Sequence, residues 1–270
     1  MTNTAFQSAQ RRPSFLAALS AQMRVIGAIL MRELHTRYGR DNIGYLWLVG
    51  EPLMLGSVIT LMRSGETARQ SDFNPVTFAA VGYTIFIIFR GIVSRSDGAL
   101  AGNIPLLYHR MVTVLDIVIA RALLEAAGCF ISFLILLTIL ISIGYATLPA
   151  RPLMLFAGIG YVFWISLATS MIIVGGTYEN RTLERLVHPF NYFMIPLSGA
   201  FYRVEWIPQP YRRYLLWNPL PQIFELVRYG QFDSGTVEYV NFIYITGFCA
   251  VLTLLGLIAV QSVRSRIHLS

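Results

Sequence analysis

The chain has 270 residues, of which 55% are hydrophobic and 13% are charged, and it carries a net charge of +7. All 21 positive residues are arginines, which excludes a phosphate-binding P-loop because that loop needs a lysine on the β- and γ-phosphates. The apolar residues cluster in runs of about 20, the length of a helix that crosses roughly 30 Å of hydrocarbon. This composition excludes a soluble globular protein and predicts an all-α membrane protein.

The first segment, residues 1–42, precedes the predicted spans and is expected on the cytoplasmic side. It lacks the short apolar core of a removable signal peptide, so no such peptide is expected. Within it, residues 13–40 predict an amphipathic helix that has Arg24 and His35 opposite an apolar stripe. The stripe consists of Phe15, Leu19, Met23, Ile26, Leu30 and Leu34. Such a helix lies in the membrane interface with its apolar face in the headgroup region, or it packs on the bundle as an ordinary surface helix.

Residues 43–270 form the predicted transmembrane domain, which has six candidate spans. They cover about 43–62, 76–94, 117–145, 153–175, 188–203 and 240–263. The fifth is short and contains Pro189 and Pro196, which predicts a broken or re-entrant helix. With both termini in the cytoplasm, fourteen arginines lie inside and seven lie outside. The positive-inside rule favours this orientation.

Few charged residues fall within the spans. Glu51 lies well inside the first span, directly before Pro52, and an ionised carboxylate at that depth normally faces a cavity or a partner. Arg121 and Glu125 are four residues apart near the inner end of the third span, which predicts a structural ion pair. The four histidines are scattered, so no metal or catalytic cluster is expected.

Two further segments are too polar to cross the membrane. Residues 95–113 lie between spans two and three and mix small residues with a short helix-compatible stretch, so they either dock into a groove on a partner or simply connect the spans. Residues 201–236 are external and aromatic, with Pro210 and Pro219 at first-turn positions of short helices and Asn218 as an N-cap. Their rings predict either an ordinary aromatic belt or a rim around an exit path for a sugar polymer.

Two motifs carry a resemblance to a known family. The first is RELHTRYGRDNIGYLWLVGEPL at 32–53; the second comprises SGAFY at 198–202, WIP at 206–208 and LWNPL at 216–220. With these motifs the chain resembles the ABC-2 type exporter permeases, and among them the capsule polysaccharide export permeases of Gram-negative bacteria. The resemblance extends over essentially the whole chain.

The resemblance implies a homodimeric, non-enzymatic permease of six-span subunits in the bacterial inner membrane. ATP and Mg²⁺ would bind to a separate nucleotide-binding subunit, and this chain would hold no cofactor. Residues 95–113 become the coupling helix, and residues 204–232 become a pair of external gate helices. Further implied partners are a periplasmic adaptor of the polysaccharide co-polymerase type, an outer-membrane channel and a lipid-linked, acidic polysaccharide, with no nucleic acid.

Two other functions remain as alternatives. One is a permease for a different lipid-linked glycan, such as an O-antigen or a teichoic-type polymer. The other is a membrane-embedded glycan-modifying enzyme, which the absence of a convergent His, Asp and Glu cluster in the sequence disfavours.

The predicted site residues fall into three groups. Those of the substrate path are Tyr45, Trp47, Glu51, Tyr192, Phe193, Phe201, Tyr202, Arg212 and Arg213. Those that receive the substrate or a lipid headgroup are Arg32, Arg37 and Arg40. Those of ATPase coupling are Arg95, Asp97, Asn103, Leu106, Leu107 and Tyr108. Rings offer a face on which a polymer slides, and arginine forks match carboxylates and phosphates. Interfacial anchoring by the rings and topology determination by the arginines are the alternatives.

Overall fold

The computed structural model describes residues 15–38, 44–63, 73–107, 112–178 and 180–267. Their α-helices are α1 (Phe15–Tyr38), α2 (Gly44–Arg63), α3 (Pro75–Ser94), α4 (Ile104–Leu107), α5 (Val114–Ser142), α6 (Pro152–Thr177), α7 (Arg181–Leu197), α8 (Tyr211–Leu215), α9 (Pro219–Gln231) and α10 (Phe242–Ile267). Two short 3-10 turns cover Ala101–Asn103 and Val204–Trp206. No strand occurs among the described residues, which confirms the predicted all-helical class for this part of the chain.

Helix α3 forms the centre of the bundle. It begins at a capped turn, where the Asn74 side chain accepts the Val76 amide at 3.0 Å and Pro75 occupies the first helical position. Most of the helix is buried because α2, α5 and α6 pack around it. Phe86 and Phe89 are buried in the largest hydrophobic cluster. Because α3 packs against three other helices, the residues near its two ends have fixed positions relative to those helices.

Glycines bring α6 close to α9 and α10. A Cβ at Gly158 would lie 2.6 Å from the Val227 side chain on α9, and a Cβ at Gly175 would lie 2.5 Å from that of Ala259 on α10. Both distances are far below van der Waals contact. The two helix pairs therefore reach this separation only because glycine has no side chain.

Helices α8 and α9, which lie within the predicted external pair, differ in burial. The sequence predicts an external pair of gate helices within 204–232, and α8 has no buried residue. Helix α9, in contrast, is buried along almost its whole length, packed against α6 inside the same subunit. The aromatic content of this region suggested a surface, but the glycine on α6 leaves room for α9 in the core.

Five described helices are long and apolar enough to cross a membrane, namely α1, α3, α5, α6 and α10. The last four coincide with predicted spans two, three, four and six, whereas α2 carries a shorter apolar stretch, Leu46–Met62. Helix α7 begins earlier than the predicted fifth span, at Arg181, and also ends earlier, at Leu197 rather than at residue 203. It runs continuously through Pro189 and Pro196, which corrects the predicted break. A proline removes one backbone donor and need not end a helix.

Helix α1 combines both interpretations of the N-terminal segment. In its second half, Ile26 and Ile29 are buried in a cluster that includes residues of α5, α6 and α10. In its first half, Phe15, Leu19 and Met23 are exposed. The second half thus packs on the bundle, while the apolar residues of the first half have the exposure expected of a helix in a membrane interface.

Candidate functional site

A charged cluster joins α1, α5 and the chain that follows α3. The Glu125 carboxylate lies 2.5 Å from an Arg37 nitrogen and 3.2 Å from Arg95 Nε. Arg37 and Arg121 both approach the Glu33 carboxylate, at 3.0 Å and 3.6 Å. The Glu125 side chain is only 6% exposed, so water screens these charges weakly. The predicted ion pair between Arg121 and Glu125 is wrong. Arg121 pairs with Glu33 of α1 instead. Glu125 pairs with Arg37 and Arg95.

The segment between α3 and α4 bonds to two further helices. Asn103 donates to Glu33 Oε1 at 2.9 Å and accepts from Arg32 at 3.0 Å, and both partners lie on α1. Asp97 lies 3.9 Å from His188 of α7. Burial raises the pKa of Asp97, and the nearby His188 opposes that shift. Because Arg95 also contacts Glu125 of α5, this segment contacts α1, α5 and α7 through polar side chains.

A small polar cavity of about 130 Å³ lies between α2, α3 and α5. Glu51, Arg90, Arg95 and Glu125 all line it, so two cations face two carboxylates. Glu51 Oε2 is 3.6 Å from Arg95, and the Glu51 side chain is 50% exposed. Glu51 thus faces a cavity and also has a cationic partner.

An aromatic row connects α3, α7 and the turn at 198–202. The Arg90 guanidinium lies 5.8 Å from the ring centroid of Tyr192, which is exposed together with Phe193 on α7. Tyr83, two turns before Arg90 on α3, interacts with the Arg90 guanidinium. The Tyr83 ring packs against Phe201 with centroids 5.8 Å apart. Three of the predicted path residues therefore lie in one region, and Arg90, which the sequence analysis did not select, lies among them.

Other predicted residues are distributed around this region. Trp47 is exposed on α2, one turn before Glu51, and Tyr202 is half-buried after α7. Arg40 and Tyr108 lie outside the described residues, as does the side chain of Tyr45. Within the described part of the chain, no group of three or more His, Cys, Asp or Glu residues could hold a metal ion.

Two of the arginines that the sequence predicts to contact the substrate, Arg212 and Arg37, already form hydrogen bonds or ion pairs within the subunit. Arg212 donates to the carbonyl oxygens of Glu205 and Ile207 at 2.7 Å and 3.0 Å, and to the Tyr239 hydroxyl at 3.0 Å. Arg37 is held by the carboxylates of the charged cluster. A substrate would have to displace these bonds, whereas Arg213 on α8 is exposed. The geometry therefore favours Arg213 over Arg212 for contact with a polymer.

A buried ion pair on α9 was not predicted from the sequence. Glu225 and Arg228 lie 3.1 Å apart, with at most 4% of either side chain exposed. Glu225 accepts the Val204 amide at 2.9 Å, while Arg228 donates to the Gly199 carbonyl and lies 4.4 Å from the Phe78 ring centroid. Burial lowers the pKa of Arg228 to about 10, so the side chain stays charged at neutral pH. Opposite charges three residues apart, within an otherwise uncharged helix, are the signal that would have found the pair.

Gly82 holds the turn at 198–202 against α3. A Cβ at this position would lie 2.1 Å from the Ala200 carbonyl oxygen, a backbone atom that moves only with the turn. We expect Gly82→Ala to lower the stability of the purified protein by about 1–3 kcal/mol, measured by thermal unfolding in detergent. The matched control is Gly160→Ala on α6, where no atom lies within 4 Å. It should be neutral or stabilising by up to about 1 kcal/mol, and equal losses in both variants would contradict this role of Gly82.

Comparison with known proteins shows the family. Residues 24–232 match the family model of the ABC-2 type transporters. The chain belongs to the ABC-2 type transporter family. It is 38% identical over 254 residues to the capsule polysaccharide export inner-membrane protein CtrC of Neisseria meningitidis serogroup B, covering 94% of this chain and 96% of that protein. It is 32% identical over 250 residues to the capsule polysaccharide export inner-membrane protein BexB of Haemophilus influenzae, covering 92% and 94%.

A third relative is the polysialic acid transport protein KpsM of Escherichia coli. The identity is 30% over 258 residues, covering 89% of this chain and 94% of that protein. The resemblance inferred from the two sequence motifs is therefore confirmed. With its several long apolar helices, this member of the ABC-2 family is a multi-pass membrane protein.

Proposed function

We propose that this ABC-2 permease is the transmembrane subunit of an ATP-driven exporter that moves a capsule-type polysaccharide across the bacterial inner membrane. The observation that carries the proposal is the 38% identity, over 94% of the chain, to a capsule polysaccharide export inner-membrane protein. The similarity to BexB and KpsM supports the same substrate class. The polymer is lipid-linked and acidic. The path that it follows is lined by aromatic side chains and an arginine of the candidate site.

The transport unit is a homodimer of six-span subunits with both termini in the cytoplasm. The rings of Tyr192 and Phe193 on α7 and of Trp47 on α2 are exposed, which supports the homodimer. Large apolar side chains exposed together mark either a lipid contact or a protein interface. A two-fold related copy would place α2 and α7 of both subunits around a shared path, using the same surface twice.

A separate subunit binds ATP and Mg²⁺ and acts on the segment between α3 and α5. This chain has no lysine for a P-loop, so it depends on another chain for hydrolysis. The segment contacts α1 through Asn103, α7 through Asp97, and α2 and α5 through Arg95. A displacement of the segment would therefore move the helices that carry the candidate site.

On the outer side, α8 forms the moving part of a gate and α9 forms its fixed base. Tyr214 and Trp217 are exposed and pack edge to face, with ring centroids 5.8 Å apart. Exposed rings at this place suit contact with the second copy, with the polymer or with the periplasmic adaptor. The adaptor and an outer-membrane channel complete the export path.

Reconstitution into lipid vesicles tests the proposed function. We expect the permease alone to hydrolyse no ATP, and ATP-dependent movement of lipid-linked capsule polymer to require its ATPase subunit as well. The measurement is the amount of polymer protected inside inverted vesicles after ATP is added. An assembled complex that hydrolyses ATP but moves no polymer would contradict the proposed substrate class.

A charge at Leu106 should uncouple hydrolysis from export. Leu106 is half-buried on the predicted coupling segment, and Leu106→Asp should reduce export about tenfold, the effect of losing about 1.4 kcal/mol of docking energy. Leu107 is unsuitable for this test because it is buried in the cluster with α1 and α5. Leu148→Asp, in the exposed loop after α5, is the matched control and should export normally. Normal export by Leu106→Asp would exclude this segment as the coupling element.

A further inference from the structure

Arg90 is a cation inside the apolar helix α3, which is long enough to span a membrane. Among the described residues, no carboxylate lies within 4 Å of its guanidinium. Arg95, on the same cavity, contacts Glu51 at 3.6 Å and Glu125 at 3.2 Å. A charged side chain at such a position is costly, and it normally faces a partner or a functional pathway.

The Arg90 side chain extends along α3 toward Tyr83. A snorkelling arginine extends to the nearer membrane surface, and the nearer end of α3 is at Ser94. The Arg90 guanidinium instead interacts with Tyr83, two turns toward the middle of α3. Side chains on a helix tilt toward its N-terminus, so this direction is the relaxed one. The guanidinium therefore lies near Tyr83 without strain in the Arg90 side chain.

The surroundings of Arg90 leave one side accessible. The Tyr192 ring lies 5.8 Å away on α7 and is itself exposed, and Arg90 is partly exposed. On the other side, Arg90 lines the cavity that Glu51 also lines. Fixed aromatic neighbours and an accessible guanidinium are what an anion-binding position requires, because the arginine fork is already oriented.

We propose that Arg90, supported by Tyr83 and Tyr192, contacts the carboxylates of the acidic sugar chain during transport. This inference rests on the proposed export function and assigns the charge selectivity of that path to one side chain. An arginine fork binds a carboxylate through two parallel hydrogen bonds, whereas an uncharged sugar forms only weaker neutral ones. Glu51 on the same cavity limits the strength of binding, so that each carboxylate is released as the next arrives.

The test uses the complete exporter in vesicles and two forms of one polymer. The first probe is the lipid-linked capsule polymer extracted from cells that produce this permease, and the second is the same polymer with its carboxylates amidated by methylamine. Amidation removes the charges of the sugar chain but leaves a phosphate at the lipid end. We expect Arg90→Gln to slow ATP-driven transport of the native polymer about tenfold, as for the loss of about 1.4 kcal/mol, with the amidated polymer changed less than about twofold.

One further variant and one further measurement separate charge recognition from folding. Arg90→Lys keeps the charge without the fork and should restore part of the rate, while thermal unfolding of both Arg90 variants should match wild type. An equal loss for both polymers would assign the effect to the lipid end or to the fold and would overturn the proposal, as would unchanged transport of the native polymer. An extracted polymer without carboxylates would overturn it too. Failure of the wild-type exporter to move either polymer would instead contradict the proposed function.

Discussion

Replacing Arg228 by methionine should destabilise the protein by about 3–5 kcal/mol, the usual cost of leaving one partner of a buried ion pair without the other. Methionine keeps an unbranched side chain that fills part of the space next to Phe78. The variant leaves the Glu225 carboxylate buried with the Val204 amide as its described partner, and it removes the donor to the Gly199 carbonyl. Both bonds hold the turn between α7 and α8 against α9.

Thermal unfolding of the purified protein in detergent measures this loss. The matched control is Arg213→Met on α8, an arginine that is exposed. It should change stability by less than about 0.5 kcal/mol. A double variant, Glu225→Leu with Arg228→Met, should recover part of the loss, because it no longer buries an unpaired charge. Equal stability of the two single arginine variants would contradict the structural role assigned to the pair.

Glu125→Gln should weaken the contact of the C-terminal half of α1 with α5 and with the segment that follows α3. Glutamine has nearly the same shape, but it removes the negative charge that faces Arg37 and Arg95. Arg37 keeps Glu33 and Arg95 keeps Glu51 as counter-ions. The variant should therefore lose about 1–3 kcal/mol, the usual cost of removing hydrogen bonds to charged groups. Glu51→Gln is the control, because Glu51 is half exposed and has one arginine at 3.6 Å. Its loss should stay below about 1 kcal/mol.

Two measurements separate the outcomes for this cluster. Thermal unfolding reports the stability of each variant, and limited proteolysis reports whether α1 has become accessible. We expect Glu125→Gln to be cut within residues 15–38 much faster than wild type, whereas Glu51→Gln should resist as wild type does. Similar cleavage and similar stability for both variants would show that the contact of α1 with α5 does not depend on the Glu125 charge.

Several elements were predictable because their signals are local. The long apolar runs of α3, α5, α6 and α10 each suffice to predict a helix that can span a membrane. The N-cap at Asn218 and the proline after it predict the start of α9. Neither an apolar run nor an N-cap indicates which other elements pack against a helix. The burial of α9 depends on Gly158, which precedes it by many residues, so its placement in the core did not follow from its own sequence.

The ionic contacts show the same limit. Arg121 and Glu125 are close in sequence, and that proximity predicts an ion pair. Arg37 is 88 residues from Glu125, yet its nitrogen lies 2.5 Å from the carboxylate. Local spacing therefore selected the wrong partner, because partners that tertiary packing brings together lie closer than the neighbour along the helix. The availability of Arg212 could not be judged from sequence for the same reason, since two of its acceptors are backbone carbonyls.

The sequence by itself determined the membrane class, the helical character, the lack of a P-loop lysine and, through two motifs, the ABC-2 family. These properties follow from composition, from the hydrophobicity of short windows and from residue types at fixed spacing. Only the tertiary structure decided which charges are paired, that α9 is internal while α8 is exposed, and that Arg90 lies beside Tyr192. Those outcomes depend on how far apart the helices pack, and that separation is set by contacts between residues distant in the chain.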